Sequence, residues 1–542
     1  MERRLFENIL RYYPSCRRFL DRKVLESAAG SFPEDILPHH LPDLLSALPN
    51  GLDPPPFLPD LARLELAIHQ VASGAVIASG EVRERQINPT LKSIDLTWSN
   101  LLGLIGPADD AAGKRPEPGR ELVLIWRRPG DGELTMKVAD EEDLLVLKIV
   151  LENLATGEVA AAGNVPAVTI ERALERAVSR GLIRAPGSLL QRDRVVFPEG
   201  NRGADRGLFH TAKAFALQWH LTQACDLHCR HCYDRSSRDF LGLAQAEAVL
   251  DQLQAFCRSR HVRGSIALSG GNPLLYPHFF ELYRAATARG FSLAILGNPT
   301  TAENLERLLA IQKPVHYQVS LEGLPAHNDY IRGEGHFERT MVFLELLKEC
   351  EIYSMVMLTL TRANLDQVLP LAEKLRGRVD SFTFNRLTMV GEGAALQSVE
   401  PAVFREFLPK YLVAARTNST IRPKENLFNI IRHQKGRDLL RGCAGYGCGA
   451  AFNFLTLLPD GEVHACRKFP SLIGNILERD LGEIYDSEAA LRYRRGSAAC
   501  RGCAIRPACG GCQAVVYGMG LDPAEDLDPY CFINSGDHLC SG

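Results

Sequence analysis

The sequence has neither a long apolar run nor an excess of charge of one sign. Its 542 residues contain no stretch of about 18 consecutive apolar residues, which a membrane-spanning helix would need. The first residues, MERRLFENILRYYPSC, lack the apolar segment and small-residue cleavage site of a secretory signal. A formal net charge of −3 gives no electrostatic preference for nucleic acid or anionic lipid. We therefore expect a cytoplasmic globular protein that binds neither nucleic acid nor membrane.

Cysteine, in contrast, is abundant and unevenly placed. In a cytoplasmic protein, the 15 cysteines are expected to stay reduced and to serve metal binding or catalysis rather than disulfides. Eleven of them fall in two groups, Cys225 to Cys232 and Cys443 to Cys531. Four are isolated: Cys16, Cys257, Cys350 and Cys540. The middle two of these occur at helical spacing with apolar residues, which predicts buried packing, and no role is predicted for the other two.

The pattern of apolar residues divides the chain into five segments. We expect a helical N-terminal domain at 1–117, a winged-helix-like domain at 118–190, an α/β barrel at 210–395, a connector at 396–440 and a cysteine-rich domain at 441–542. In the first segment, Leu58, Leu61, Leu64 and Ile68 recur at helical spacing. In the second, ELVLIWRR and ELTMKV form two strands around a Pro-Gly-Asp-Gly turn, and helical patterns follow.

The third segment alternates short apolar strands with amphipathic helices. The predicted strands are 215–221, 265–270, 291–297, 315–321, 354–360 and 381–385. This succession is typical of an α/β fold with parallel strands, either a βα-barrel or an open sheet. Six units are too few for a full eight-stranded barrel, so a partial (β/α)6 barrel is expected. Active residues of such folds lie at the carboxyl ends of the strands.

The first cysteine group follows the first of these strands directly. LTQACDLHCRHCYD spaces Cys225, Cys229 and Cys232 as CxxxCxxC. A loop this short can place three thiolates around one corner of a four-iron cluster and leave the fourth iron without a protein ligand. A structural zinc site remains an alternative, with His228 or His231 as the fourth ligand, although the loop is unusual for zinc.

This loop resembles that of the radical S-adenosylmethionine (SAM) superfamily, and the resemblance extends over the whole α/β segment. It implies that the three cysteines are the catalytic residues and hold a [4Fe–4S] cluster whose open iron chelates SAM. In that family, one-electron reduction then yields a 5′-deoxyadenosyl radical, with the electron supplied by a donor such as flavodoxin or ferredoxin. His231 stands at the family's aromatic position.

Two further strand ends carry the same resemblance. After the second strand, SGGNP is similar to the family's GGEP motif, with Asn272 in place of the usual glutamate. After the fourth strand, VSLEG is similar to the family's VSLDG. The resemblance therefore implies SAM contacts from five residues: Gly270, Gly271, Asn272, Pro273 and Ser320.

The second cysteine group contains enough thiols for two four-cysteine sites. Its order, and the phrase GEVHACRKFPSLIGNI, resemble the SPASM extension of peptide- and protein-modifying radical SAM enzymes. The resemblance implies two auxiliary [4Fe–4S] clusters, one held by Cys443, Cys448, Cys466 and Cys512 and the other by Cys500, Cys503, Cys509 and Cys531. Two residues separate Cys509 from Cys512, whereas three residues are common at this place in the family. Zinc ribbons remain an alternative from spacing alone.

The winged-helix-like segment resembles the PqqD-like elements that bind the leader of a precursor peptide by adding a strand to a hairpin edge. A generic winged-helix spacer is the alternative. Arg467 stands where sulfatase-type maturases have an aspartate base, which disfavours formylglycine formation. The resemblance therefore implies a precursor peptide with a leader as partner, and a thioether or related crosslink as product.

Other assignments remain open. Stretches such as SGGNPLLYPHFFELYRAA are similar to the selenobiotic-peptide branch of these maturases. A maturase of a protein subunit, sulfatase- or dehydrogenase-maturase-like, would use the same radical core. A non-catalytic iron–sulfur scaffold or regulator would leave the pairing of the cysteine loop with the glycine motif unexplained.

Overall fold

The structure, a computed structural model, describes residues 11–20, 24, 37–48, 54–75, 82–105, 115–163, 165, 167–197 and 208–533. It divides into two compact units, residues 1–165 with 169–187 and residues 166–168 with 188–542. Among the described helices, none has both the length and the apolar character needed to cross a bilayer. Cys540 lies outside the described residues.

The first part of the chain combines helices with short antiparallel strands. The strands are β1 (Gln86–Ile87), β2 (Lys92–Ser99), β3 (Glu117–Arg127), β4 (Leu134–Val138) and β5 (Ile183–Arg184). The helices are α1 (Leu37–Ser46), α2 (Leu58–Ser73), α3 (Glu141–Leu151), α4 (Thr156–Ala162) and α5 (Ala167–Ser179). Strands β2, β3 and β4 form one sheet in that order, and β1 pairs with β5.

The predicted hairpin and the predicted helix at Leu58 are both present, as β3–β4 and α2. The segment up to residue 117, predicted as helical, also contains strand β2, which the sequence reasoning missed. This strand buries only Ile94 and Leu96, which pack with Leu64 of α2 in one apolar cluster. Two buried positions give a weak alternation signal, so the sequence did not reveal the strand. The boundary predicted at 117 therefore separates two strands of one sheet.

The second unit is built on a nine-stranded sheet. Its strands are β6 (Ala214–His220), β7 (Arg263–Ser269), β8 (Ser292–Leu296), β9 (Tyr317–Ser320), β10 (Ser354–Leu360), β11 (Ser381–Arg386), β12 (Phe454–Leu457), β13 (Glu462–His464) and β14 (Leu472–Asn475). Its helices are α6 (Leu243–Ser259), α7 (Phe279–Ala288), α8 (Ala302–Leu309), α9 (Pro325–Arg332), α10 (His336–Glu349), α11 (Val368–Lys374), α12 (Pro401–Thr417), α13 (Phe428–Gln434), α14 (Leu481–Asp486), α15 (Glu488–Arg495) and α16 (Gln513–Gly518).

Strands β6 to β11 are parallel and adjacent in chain order, which confirms the predicted α/β fold of six βα units. The sheet continues past β6, because β12 pairs with it in parallel and β13 and β14 follow antiparallel. The sequence predicted little regular structure after residue 440 and missed these strands. Strand β12 is only four residues long and fully buried, so it shows no alternation of apolar and polar residues.

Alternating positions on the parallel strands give the sheet an apolar and a polar face. Leu217, Val319, Leu358 and Phe384 belong to the apolar core of the unit. The neighbouring positions carry polar or polarisable side chains that face the inside of the partial barrel, namely Gln318, Ser320, Met357, Thr359 and Asn385. This period of two leaves the barrel interior lined by groups that can bind a polar ligand.

Candidate active site

A cavity of about 320 Å³ lies at the carboxyl ends of the parallel strands. Five of its lining residues are the last residues of strands, namely His220, Ser269, Leu296, Ser320 and Arg386. The cavity is also lined by the three cysteines of the first group and by Gly270 and Gly271 of the glycine motif. Asn272 and Pro273 do not line it, and lie directly behind the glycines as the start of a short 3-10 turn. The structure therefore brings most of the predicted site residues together at the carboxyl ends of the strands, the edge that the sequence predicted.

The glycine motif packs against the backbone that leads into the cysteine loop. Gly271 N donates to Thr222 O at 2.8 Å, and Asn272 N donates to Ala224 O at 2.8 Å. A Cβ atom on Gly270 would overlap Thr222 O, and one on Gly271 would overlap Ala224 O. Gly270 also has a φ of 138°, a conformation that favours glycine. Glycine is therefore required at 270 and 271 because the backbone there lies against the segment that leads into the cysteine loop.

Asp226, the residue after Cys225, connects three parts of the site. Its Oδ1 accepts from Asn272 Nδ2 at 3.1 Å and from Asn298 Nδ2 at 2.6 Å. Asn298 follows β8 and also lies 3.7 Å from Cys225 Sγ. The side chain of Asn272 is therefore turned toward the cysteine loop, where a glutamate would meet the negative charge of Asp226.

Glu322 forms a buried charge network on the other side of the loop. Its Oε1 accepts from Arg332 Nε and Nη2 at 2.9 and 2.6 Å and lies 2.8 Å from His231 Nε2, while Oε2 accepts from Thr359 N at 2.8 Å. Burial would raise the pKa of the Glu322 carboxyl, but His231 and Arg332 outweigh it and hold this pKa well below its ordinary value. Arg332 Nη1 also lies 3.7 Å from Cys229 Sγ. The network therefore ties α9 to the middle of the cysteine loop.

His220 and Tyr233 form a neutral pair on the cavity wall. Tyr233 Oη and His220 Nε2 are 3.1 Å apart. Burial, with help from Arg467, lowers the pKa of His220 to about 3. Burial raises the pKa of Tyr233 to about 12. Both groups are therefore uncharged near neutral pH.

The donor set of the first cavity fits an iron–sulfur cluster. Burial raises the pKa of the Cys229 and Cys232 thiols, and the nearby Cys225 thiolate adds to the rise in each case. Such repulsion requires the three sulfurs to be close together, and a metal bound among them would relieve it. In the described part of the chain, no three His, Cys, Asp or Glu side chains are drawn together tightly enough to hold a single metal ion. Ligands of a four-iron cluster stand farther apart, because each binds a different iron.

A second, smaller cavity of about 50 Å³ gathers four cysteines of the C-terminal group. These are the four that the resemblance assigned to one cluster: Cys443, Cys448, Cys466 and Cys512. Burial raises the pKa of the Cys466 thiol to about 11, and Cys448 and Cys443 add to the rise. The structure therefore brings this predicted set together around one small space.

The other four cysteines of that group also lie near one another. Burial raises the pKa of Cys500 to about 11, with Cys503 and Cys531 adding to the rise. Burial likewise raises the pKa of Cys509 well above its ordinary value, and Cys531 and Cys500 again contribute. Because Cys448 N donates to Cys509 O at 3.0 Å, the two sets are interleaved along the backbone.

A buried arginine beside the second cavity supports an anionic group there. Arg192 is 5% exposed, and its Nη2 donates to the carbonyl oxygens of Tyr446 and Cys448 at 2.8 and 2.7 Å. Its guanidinium lies between the rings of Phe197 and Phe452, and no carboxylate contacts it among the described residues. A buried cation of this kind needs a nearby negative charge, which a thiolate-bound cluster would provide.

Arg386 lines both cavities and links them. Its Nη1 and Nη2 donate to the two carboxylate oxygens of Asp528 at 2.8 and 2.7 Å, and its Nε and Nη2 donate to Glu425 at 3.1 Å each. Asp528 also accepts from Cys512 N at 2.9 Å. The network therefore fixes one proposed auxiliary ligand relative to the end of β11.

Sequence reasoning missed these supporting residues. Asp226, Asn298, Arg332 and Arg386 contact the cysteines or their loops, but none of them was predicted as a site residue. Asp226 and Arg332 offered a weak signal, because Asp226 lies inside the CxxxCxxC loop and Arg332 directly precedes the glycine-rich turn after α9. The partners of Arg386 are 39 and 142 residues away along the chain and gave no signal.

Comparison with known proteins assigns two segments. Residues 219–375 match the radical SAM superfamily, and residues 448–512 match SPASM, an iron–sulfur cluster-binding domain. The first match covers β6 to α11, including the cysteine loop and the strand-end motifs. The second covers six of the eight cysteines of the C-terminal group, from Cys448 to Cys512.

Two curated relatives match most of their own length. The AdoMet-dependent heme synthase of Methanosarcina barkeri is 29% identical over 59% of this chain and 97% of that protein. The mycofactocin maturase MftC of Mycolicibacterium smegmatis is 30% identical over 58% of this chain and 82% of that protein. Among solved structures, Streptococcus suis SuiB bound to precursor peptide SuiA has a TM-score of 0.49 at 16% identity, over 75% of this chain and 96% of that one. From the two family matches and the 30% identity to MftC, the chain belongs to the radical SAM superfamily, carries a SPASM domain and works with [4Fe–4S] clusters and S-adenosylmethionine.

Proposed function

We propose that this chain modifies a ribosomally synthesised precursor peptide by hydrogen abstraction from a peptide residue. One observation carries the proposal: a single cavity is lined by the three cysteines of the first group and by Arg386, Arg467 and Lys468. A substrate group bound there would lie beside both the SAM-binding loop and the entrance to the second cavity. The relative named as a mycofactocin maturase supports a peptide as the substrate.

The proposed roles follow from the contacts described above. Cys225, Cys229 and Cys232 would hold the SAM-binding cluster, and Gly270 and Ser320 would lie against SAM. With SAM bound, the reduced cluster supplies a 5′-deoxyadenosyl radical that removes a hydrogen atom from the substrate. Asn298 and Arg332, each 3.7 Å from a loop sulfur, would orient the thiolates.

The C-terminal cysteines would hold two auxiliary clusters in the sets that the structure groups. One set is Cys443, Cys448, Cys466 and Cys512, and the other is Cys500, Cys503, Cys509 and Cys531. The buried Arg192 beside Cys448 would offset the charge of the first of these clusters. A flavodoxin or ferredoxin would supply the electron.

The leader of the peptide would bind to the free edge of β4. Strand β3 is already paired on both sides, so β4 is the edge that the hairpin offers for an added strand. A PqqD-like role for this hairpin rests on that edge. The product we propose is a thioether or related crosslink, and the selenobiotic-peptide subgroup stays a prediction from sequence.

A second candidate function is modification of a tetrapyrrole. The relative named as a heme synthase, which this chain covers over 97% of its length, favours it. The two candidates differ in what they require of the N-terminal unit. Leader binding needs the β4 edge, whereas a small tetrapyrrole does not.

Deuterium transfer tests the proposal directly. The full chain, reconstituted anaerobically with iron and sulfide, would be incubated with SAM, a reductant and the peptide encoded beside its gene, made with deuterated amino acids. We expect deuterium in the 5′-deoxyadenosine and a change in peptide mass of one or more hydrogens. A variant with all three loop cysteines changed to alanine is the control and should give neither signal.

An unchanged peptide, together with normal SAM cleavage, would contradict the peptide assignment. Deuterium transfer from a propionate-deuterated porphyrin under the same conditions would favour the tetrapyrrole instead.

A further inference from the structure

Two cations of the main cavity form no ion pair with a carboxylate among the described residues. Arg467 and Lys468 follow Cys466 directly and both line this cavity. No hydrogen bond or ion pair joins either side chain to another residue in the described part of the chain. Lys468 also lines the second cavity, together with Lys424. Burial lowers the pKa of Lys424, and the nearby charges of Lys468 and Arg467 lower it further. The three cations therefore lie close together.

The other cations of the cavity are matched by carboxylates. Arg332 is paired with Glu322, and Arg386 is paired with Glu425 and Asp528. Arg235 lies 3.8 Å from Glu392. Arg467 and Lys468 therefore differ from the other cations of the cavity, each of which has a carboxylate nearby.

No carboxylate on the same wall is available to neutralise the pair. Asp234, which also lines the cavity, accepts hydrogen bonds from Gln223 Nε2 at 2.8 Å and from Ser236 N and Oγ at 2.9 and 2.6 Å. His220 and Tyr233 are neutral, as described above. An anion entering the cavity would therefore meet two cations that no carboxylate of the described residues contacts.

Burial raises the pKa of the Cys466 and Cys512 thiols, and the nearby charge of Lys468 offsets part of the rise. The auxiliary cluster therefore accounts for Lys468 in part, but not for Arg467. A four-iron cluster bound by four thiolates carries a net charge of about −2 in its oxidised form. Arg192 beside Cys448 and Lys424 in the second cavity already supply two positive charges at that site. Arg467 lines only the larger cavity, on the side of the SAM-binding loop.

We propose that Arg467 and Lys468 bind a carboxylate of the substrate and hold it between the SAM-binding loop and the second cavity. The proposal rests on the proposed function and narrows it, because it requires a substrate whose reacting part carries a carboxylate. In a peptide, this group is the C-terminus or the side chain of an aspartate or glutamate. Arginine suits the role, since its planar guanidinium can donate two parallel hydrogen bonds to a carboxylate.

The test uses the reconstituted, SAM-loaded full chain and three short blocked peptides that differ only in their carboxylate groups. The probes are N-acetyl-trialanine as the free acid, the same tripeptide as its amide, and N-acetyl-Ala-Glu-Ala amide. Dissociation constants would be measured anaerobically by ligand-observed NMR. We expect at least one carboxylate probe to bind about tenfold more tightly than the uncharged amide, as one charge-assisted hydrogen bond allows. Whichever acid binds tightly identifies the source of the carboxylate.

Arg467→Gln and, separately, Lys468→Gln should reduce or abolish this preference. Arg479→Gln is the matched control, because Arg479 is an exposed arginine of the same domain whose ion-pair partner, Glu483, lies 3.8 Å away. It should leave the preference intact. Arg467→Gln and Arg479→Gln should keep the iron content, the SAM affinity and the EPR spectrum of the reduced auxiliary clusters.

Equal or undetectable binding of all three probes, with normal SAM cleavage, would overturn the inference and leave the proposed function standing. A lower SAM affinity or an altered auxiliary EPR signal in Arg467→Gln would also overturn it, because Arg467 would then serve a cofactor. A wild-type chain that does not cleave SAM would instead contradict the proposed function.

Discussion

Gly271 shows how one missing side chain positions the site. Its backbone N–H is bonded to Thr222 O, and a Cβ atom there would overlap Ala224 O and lie 2.7 Å from Gln223 O. Because both obstacles are backbone atoms, the loop before Cys225 would have to move as a whole. The glycine motif thus acts on the cluster ligands through the backbone.

We therefore expect Gly271→Ala to lose the SAM-binding cluster. Iron content should fall by about four atoms per chain, and 5′-deoxyadenosine formation should fall by about tenfold or more. Gly157→Ala is the matched control, since nothing lies within 4 Å of its added Cβ. Iron analysis and chromatography of the nucleoside products measure both effects. Wild-type iron and SAM cleavage in Gly271→Ala would contradict this account of the motif.

Residues inside short motifs could be predicted from sequence, and their partners could not. The CxxxCxxC loop and SGGNP can each be recognised from a few consecutive residues. Glu322 was visible only as a variant of a family motif, and its contact with His231 crosses 91 residues of sequence. Contacts of this kind depend on which strands become neighbours, and a single sequence does not show that.

At the scale of elements, β4 is an edge strand, because β3 is the only strand of the described residues that pairs with it. Ala139 N donates to Leu122 O and Arg128 N donates to Glu133 O, so odd-numbered residues of β4 face β3. The N–H of Met136 therefore points away from the sheet. Proline is tolerated at such outward positions of an edge strand, where it removes no bond of the existing ladder.

Met136→Pro should consequently block leader binding and spare the radical chemistry. We expect the affinity for the precursor peptide to fall by about tenfold or more, with uncoupled SAM cleavage unchanged. Met136→Val, which keeps the N–H, is the control. Fluorescence anisotropy of a labelled leader peptide gives the affinities, and equal affinities for the two variants would argue against strand addition at β4.

The elements that the sequence predicted well are those with a strong period. The six parallel strands alternate with amphipathic helices and were placed within a few residues. Strands β2 and β12 were missed, because one buries only two side chains and the other is buried at every position. Strand β12 matters most, since its pairing with β6 makes the C-terminal strands part of the same sheet as the SAM-binding loop.

At the scale of the whole chain, eleven cysteines fall into sets of three, four and four. The first set lines the larger cavity, the second lines the smaller one, and the third forms a separate group nearby. The isolated Cys350 packs against the apolar core and belongs to none of them. This grouping is what a radical enzyme with two auxiliary clusters requires of its ligands.

The most direct test is anaerobic reconstitution of the wild-type chain and of a Cys225, Cys229 and Cys232 triple-alanine variant, with Cys350→Ala as control. We expect about twelve irons per chain and 5′-deoxyadenosine for the wild type and the control. The triple variant should bind about eight irons and form no 5′-deoxyadenosine. About four irons and no SAM cleavage in the wild type would contradict the assignment of one SAM-binding and two auxiliary clusters.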